Sequence, residues 1–198
     1  RIRVYPDPLL RQPAEEVRRP DENIQALLND MFDAMREEGG IGLAAPQVGV
    51  LKRVIVVSVE EKGFERLALI DPLVVSSSRE TVLFEEGCLS IPGVRAEVAR
   101  PARVVVRGLT RSGRLVEISA TDLLARVLQH EIDHLDGVLF IDRLADRERR
   151  RVEQDLASLR ERVLAAPIRA QGAQRAPSDA FARDPYVREP PSGGGQAL

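Results

Sequence analysis

The chain has 198 residues, 43% of them hydrophobic and 30% charged, with a formal net charge of −2 at pH 7. That is room for one domain of ordinary size, and so even a charge balance gives no electrostatic reason to expect a nucleic acid or a membrane surface as partner. No apolar run reaches the ~18 residues that span a bilayer. The start, Arg1 to Pro6, lacks both the apolar core of a secretory signal and an initiator Met, so a few native residues are expected to be missing there. A single cysteine, Cys88, excludes an internal disulfide and fits a reducing compartment, so the cytoplasm is the expected location.

The first periodic segment carries Ile24, Leu27, Leu28, Met31, Phe32 and Met35 at helical spacing, with Asp21 as N-cap and Gly39-Gly40 as the stop. Its Met and Phe residues are core filler rather than a cofactor box. An apolar, β-branched run over Leu51–Val59 predicts a buried strand, and further strands are expected at Leu67–Val75, Glu80–Glu85, Arg103–Leu109 and Arg114–Ser119. Thr110-Arg111-Ser112-Gly113 joins the last two as a hairpin turn. A second helix is expected from Thr121 to Gly137, its inward face carrying Leu123, Val127, His130 and His134. A third runs from Leu144 to Ala165, with Val152, Leu156, Leu159 and Val163 on one stripe. Glutamates interleave its Arg147–Arg151 cluster, which reads as a solvated face, with a ribosome or RNA contact as the minor alternative.

Beyond Pro167 the composition turns to Ala, Gly, Pro, Arg and Ser. Such a stretch cannot bury enough apolar surface to offset its ordering entropy. The expected organisation is therefore one catalytic domain over residues 1–166 and a disordered tail over residues 167–198.

His130-Glu131-Ile132-Asp133-His134 holds the only two histidines of the chain. Four residues is just over one helical turn, so both imidazoles leave one face and can grip one metal ion. Glu131 stands where it can reach a water on that ion. A hydrolytic metal keeps about three protein ligands and an open position. The chain offers two candidates for the third ligand: an acidic residue downstream such as Asp142, or Cys88 within Glu86-Gly87-Cys88-Leu89-Ser90. A thiolate is a strong soft ligand, and Gly87 would permit close backbone approach. A third block, Gly40-Ile41-Gly42-Leu43-Ala44-Ala45-Pro46-Gln47, has small residues that let backbone lie flat against a ligand, and Gln47 offers an amide donor for a developing oxyanion. A phosphate cradle is the rival reading of this block, but no Gly-Lys-Ser/Thr ending follows it.

In this order, the three blocks resemble the signature motifs of the peptide deformylase family: Gly-x-Gly-x-Ala-Ala-x-Gln, Glu-Gly-Cys-Leu-Ser and Gln-His-Glu-x-Asp-His. The last is matched by Gln129 through His134, and Tyr5 to Arg11 is similar to the family's start. The resemblance covers about residues 2 to 165. Asp122 departs from it where many members have Gly, and Arg126 stands where others place an apolar residue near the methionine pocket.

The resemblance implies an α+β fold with antiparallel sheets surrounding the central metal-binding helix and a C-terminal helix beyond it. It implies one Fe2+ held by Cys88, His130 and His134, replaceable by Zn2+, Ni2+ or Co2+. Glu131 would carry the proton from water to the leaving amine, and the Leu89 N–H and Gln47 amide would help hold the oxyanion. The substrates would be nascent N-formyl-Met polypeptides, cleaved to formate and a free Met-peptide, with a ribosome contact through the C-terminal helix left open. Ile41, Gly42 and Leu89 would pair with the peptide backbone; Leu124, Val127 and Leu128 would receive the methionine side chain, and Arg95 would meet the peptide further along. Two rivals remain at this point: a metallopeptidase of the His-Glu-x-x-His type, and a catalytically dead homologue kept as a ribosome-binding module.

Overall fold

A computed structural model describes residues 1–59 and 66–165; the expected tail lies outside them. In chain order the elements are helix α1 (Glu22–Glu37), strands β1 (Gly42–Ala44), β2 (Val54–Val57), β3 (Leu67–Ser77), β4 (Thr81–Cys88), β5 (Ile91–Pro101), β6 (Arg103–Leu109) and β7 (Leu115–Thr121), then helices α2 (Asp122–Leu135) and α3 (Asp146–Ala165). β1, β2, β3, β6 and β7 form one five-stranded sheet in that order, and β4 pairs with β5 in a second. Every pairing is antiparallel, so the fold is α+β as expected.

The large sheet is covered on both faces. Ile24, Leu28, Met31, Phe32 and Met35 of α1 pack with Leu43, Val54, Val56 and Ile70. On the other side Leu124, Leu128, Ile132 and Leu135 of α2 pack with Ile55, Leu69, Val104, Val106 and Ile118. This explains why β2 reads as an unbroken apolar run: all four of its residues are buried. The small sheet lays Val94, Ala96 and Val98 against α3 and the Leu139–Ile141 segment. Helix α2 therefore lies between the sheets, and every residue from Leu124 to Leu135 is buried. No helix among the described residues is long and apolar enough to cross a membrane.

The expected helix signals operate. Asp21 accepts a hydrogen bond from the Ile24 N–H at 3.0 Å, and the Thr110–Gly113 turn joins β6 to β7 with Gly113 at φ 78°. Two departures have physical reasons. β5 reads weakly as a strand because Pro92 and Gly93 open it and charged residues fill its alternate positions. Asp122, noted above as a departure from the family pattern, has φ 54°. That left-handed conformation favours glycine and is tolerated by Asp, here with its carboxylate accepting the Thr121 hydroxyl at 2.7 Å.

α3 docks through the expected stripe, with Val152, Leu156 and Leu159 buried and Val163 packed beside them. Of its arginine cluster, Arg151 pairs with Glu148 at 2.8 Å and Arg149 donates to the Ile141 carbonyl at 2.9 Å. Both contacts belong to the fold itself. Leu156→Ala should cost about 2–4 kcal/mol of unfolding free energy, read from the urea midpoint. A wild-type midpoint would mean that α3 does not contribute to the core.

Candidate metal centre

Three chain segments converge on one point. α2 presents His130 and His134 from one face. β4 ends in Cys88 at an irregularity in its pairing with β5, where the register shifts between Gly87 and Cys88. The ligand-capable atoms of Cys88, His130 and His134 all lie within 4.8 Å of one another, and the Cys88 sulfur is 3.2 Å from His134 Nε2. Asp142, the acidic alternative for a third ligand, is committed elsewhere: it pairs with Arg11 and accepts the Leu139 N–H at 2.8 Å.

Whether a cation fits here can be read from the groups that surround the point. Among the described residues, the buried side-chain atoms without a hydrogen-bond partner are Glu131 Oε2 and His134 Nδ1. Burial, reinforced by the charge of His130, pushes His134 well below the ordinary histidine pKa, leaving it neutral with a lone pair to give. Burial also works against a charged His130, but hydrogen bonds with Cys88 and Glu86 outweigh it and hold that pKa well above the usual value. The point thus gathers a neutral imidazole and a carboxylate oxygen without a partner. A thiolate, two imidazoles and a nearby carboxylate are also the donor chemistry of a divalent transition metal. The residues fit such an ion.

The surrounding contacts orient these groups. Glu86, 5% exposed, accepts His130 Nδ1 on Oε2 at 2.9 Å. That leaves Nε2 of the ring for the cluster, the usual arrangement of a carboxylate behind a metal-binding histidine. Arg100 grips both Glu86 oxygens, at 2.6 and 2.9 Å, and donates to Asp133 at 2.8 Å; Arg143 holds the other Asp133 oxygen at 2.7 Å. Burial alone would push the Glu86 carboxyl up, but the bonds from His130 and Arg100 outweigh it and hold it at about 2. Burial pushes Glu131 up to about 7, the range of a group that trades protons near neutrality. A bound cation would pull it lower.

Gln47, 1% exposed, joins the first block to the second. Its oxygen accepts the Ala44 N–H at 2.7 Å, while Nε2 faces Ser90 Oγ at 3.2 Å and the Cys88 sulfur at 3.5 Å. Gly42 is where the first block touches α2: a Cβ there would overlap Glu131 Oε1 and stand 2.8 Å from Val127 Cγ1. Leu89 reaches back over the same block, since a Cβ on Gly40 would stand 2.8 Å from Leu89 Cδ1. Ile41 is 45% exposed and accepts the Ser58 N–H at 2.9 Å through its carbonyl. A Cβ on Gly87 would meet the Arg95 side chain at an ordinary 3.5 Å.

Of the remaining expected substrate contacts, Leu124, Val127 and Leu128 are all buried in the core against the large sheet, and Val127 also lies beside Gly42. The open apolar surface beside α2 comes instead from Phe84 and Leu123, 57% and 37% exposed, with the Arg126 guanidinium 5.6 Å from the Phe84 ring. Leu123, Arg126 and Val127 share one helical face, whereas Leu124 and Leu128 share the next. The signal was present in the sequence, because Leu123 is in phase with both histidines. Arg95 stands beside Gly87 and pairs with Glu85 at 2.7 Å. Sequence reasoning did not reach the Glu86–Arg100–Asp133 network behind His130; charged residues at inward-facing positions of β4, β5 and α2 were the available clue.

The family model for polypeptide deformylase matches residues 1–150. The chain belongs to the peptide deformylase family. It is 49% identical over 150 residues to a peptide deformylase of Thermodesulfovibrio yellowstonii, covering 75% of this chain and 90% of that one. With a peptide deformylase of Brachyspira hyodysenteriae it shares 44% over 162 residues, 79% of this chain and 87% of the other. Among solved structures it is similar to the peptide deformylase of Plasmodium falciparum, with a TM-score of 0.79 at 36% identity over 84% of this chain and 99% of that one. The deformylase of Legionella pneumophila gives a TM-score of 0.75 at 41% identity, covering 84% and 98%. Members of this family are metalloenzymes that remove the formyl group from N-formyl-methionine polypeptides, which makes this chain an enzyme of protein maturation.

Gly42→Ala tests the contact between the first block and α2. The added methyl must displace the Glu131 carboxylate, so turnover on a formyl-Met peptide should fall by about 100-fold or more while one equivalent of metal stays bound. Wild-type turnover in the metal-loaded variant would show that Glu131 is not held against Gly42.

Proposed function

We propose that the chain deformylates N-formyl-methionine polypeptides at this cluster, with Cys88, His130 and His134 holding one divalent metal ion and Glu131 carrying the proton. The carrying observation is the convergence of the three ligand-capable side chains within 4.8 Å of one another beside a buried carboxylate oxygen, Glu131 Oε2, that has no partner of its own. When bound, the ion supplies Lewis acidity and lowers the pKa of water toward neutrality. Fe2+ is the proposed native ion, with Zn2+, Ni2+ or Co2+ able to take its place, since one thiolate and two imidazoles accept all four.

Glu131 takes a proton from the attacking water and returns it to the departing amine as the formyl C–N bond breaks, releasing formate and a free Met-peptide. Its burial supports this role, because lost hydration raises its affinity for a proton above that of an ordinary carboxylate. The Gln47 amide and the Leu89 N–H are proposed to meet the oxygen that becomes negative at the formyl carbon. In support, Gln47 Nε2 already lies 3.5 Å from the Cys88 sulfur. The peptide backbone is proposed to run along Ile41 and Gly42, with the methionine side chain against Val127, Leu123 and Phe84. The family assignment favours this reading over a metallopeptidase, and retention of Glu131 with all three ligand candidates argues against a dead homologue.

Two variants separate metal holding from proton transfer. Cys88→Ala should lose its metal during purification. Glu131→Gln should keep a full equivalent while turnover falls by several orders of magnitude, beyond the 10²–10⁴-fold typical of acid–base catalysis because the same group acts twice. Metal analysis and a formate-release assay on a formyl-Met peptide read both. A full metal equivalent at unchanged affinity in the first variant, or near-normal turnover in the second, contradicts the corresponding role.

A further inference from the structure

We infer that Arg126 is a positioning residue of the metal centre, fixing the Glu86 carboxylate against the helix that carries His130; this rests on His130 being a ligand. The side chain is 10% exposed. Its Nη1 donates to Glu86 Oε1 at 2.6 Å and to the Val98 carbonyl at 3.0 Å, and Nη2 donates to the Val82 carbonyl at 2.7 Å. One guanidinium from α2 therefore holds both strands of the small sheet and the carboxylate between them.

The division of labour with Arg100 carries the inference. Arg100 belongs to β5 and grips Glu86 of β4 as a fork, which fixes the carboxylate relative to its own sheet. Its remaining bond reaches Asp133 of α2 at 2.8 Å, on the C-terminal side of His130; Arg126 supplies the tie on the N-terminal side. Arg126 comes from α2 itself, one turn before His130 on the same face. The two carboxylate oxygens are rigidly joined, so holding Oε1 from residue 126 sets where Oε2 meets His130 Nδ1, at 2.9 Å. The imidazole is thereby oriented by contacts that begin and end on a single helix. A lysine would keep charge and stem, but its single ammonium has no planar fork to reach Glu86 and two carbonyls at once. A leucine would leave the carbonyls of Val82 and Val98 without this donor.

The test uses the full chain loaded with Co2+, in wild-type, Arg126→Lys, Arg126→Leu and His130→Ala forms, each checked for wild-type far-UV circular dichroism. Affinity is read by chelator competition, and ligand geometry by the visible absorption of the bound Co2+. Loss of an outer contact of this kind lowers metal affinity by about 10–100-fold. Both Arg126 variants are expected in that range, with an altered Co2+ spectrum and a fall in kcat larger than any change in KM. A merely structural role would lower the melting temperature and leave affinity and spectrum alone. Affinity within twofold of wild type and a superimposable spectrum in either folded Arg126 variant, with His130→Ala impaired, overturns the inference while the ligand assignment stands. Wild-type affinity in His130→Ala overturns the ligand assignment and the inference together. Arg126→Lys, which keeps the stem and the charge, carries the test if the leucine variant does not fold.

Discussion

A buried carboxylate, Glu86, is the constraint on which the rest of the molecule turns. Its two oxygens receive four charge-assisted hydrogen bonds: two from Arg100 and one each from Arg126 and His130. A charge taken out of water persists only when its partners replace hydration, and here the partners come from β5 and from two turns of α2. Removing Glu86 would leave two buried guanidinium groups with one partner fewer each. The sheet–helix interface and the orientation of His130 thus depend on the same side chain.

The same ions shape the electrostatics of the cluster. Arg100 and Arg143 neutralise Asp133, and Arg100 with Arg126 neutralises Glu86. Glu131, by contrast, is buried without such a partner. Burial raises its pKa, while Glu86, equally enclosed, is held far below it by its bonds. Two carboxylates on neighbouring elements are therefore driven in opposite directions by environment alone. One is fixed as a permanent anion that orients a ring, and the other is left able to exchange a proton.

Much of this was legible in the sequence because it depends on local periodicity. The His130–His134 spacing, the α1 and α3 stripes and the Asp21 cap each follow from helical geometry, and each is where the periodicity puts it. Long-range pairing was less legible. β5 alternates Val94, Ala96 and Val98 with charged residues, but a proline and a glycine at its start and an arginine at an inward position disguise it. Arg126 read as a departure from an apolar pocket position, because nothing local shows that its partners are Glu86 and the carbonyls of Val82 and Val98. Leu124 and Leu128 differ from Leu123 only in helical phase, and which apolar face meets the sheet is decided by tertiary packing.

The most direct measurement compares wild type with Glu86→Gln in urea, in chelator so that metal binding does not contribute. The substitution keeps the shape and removes the charge, and breaking a buried ionic cluster at one member costs about 3–5 kcal/mol. The folded-state pKa of Glu86 is depressed to about 2, from the 4.5 of a free glutamate, by its bonds to His130 and Arg100. Its contribution is therefore fully present above the unfolded value and is lost as pH falls through the folded one. The difference between the two proteins should be several kcal/mol at pH 7 and shrink as the pH is lowered through that window. A variant within 0.5 kcal/mol of wild type at pH 7, a margin well inside ordinary surface substitutions, would contradict the central place given to Glu86.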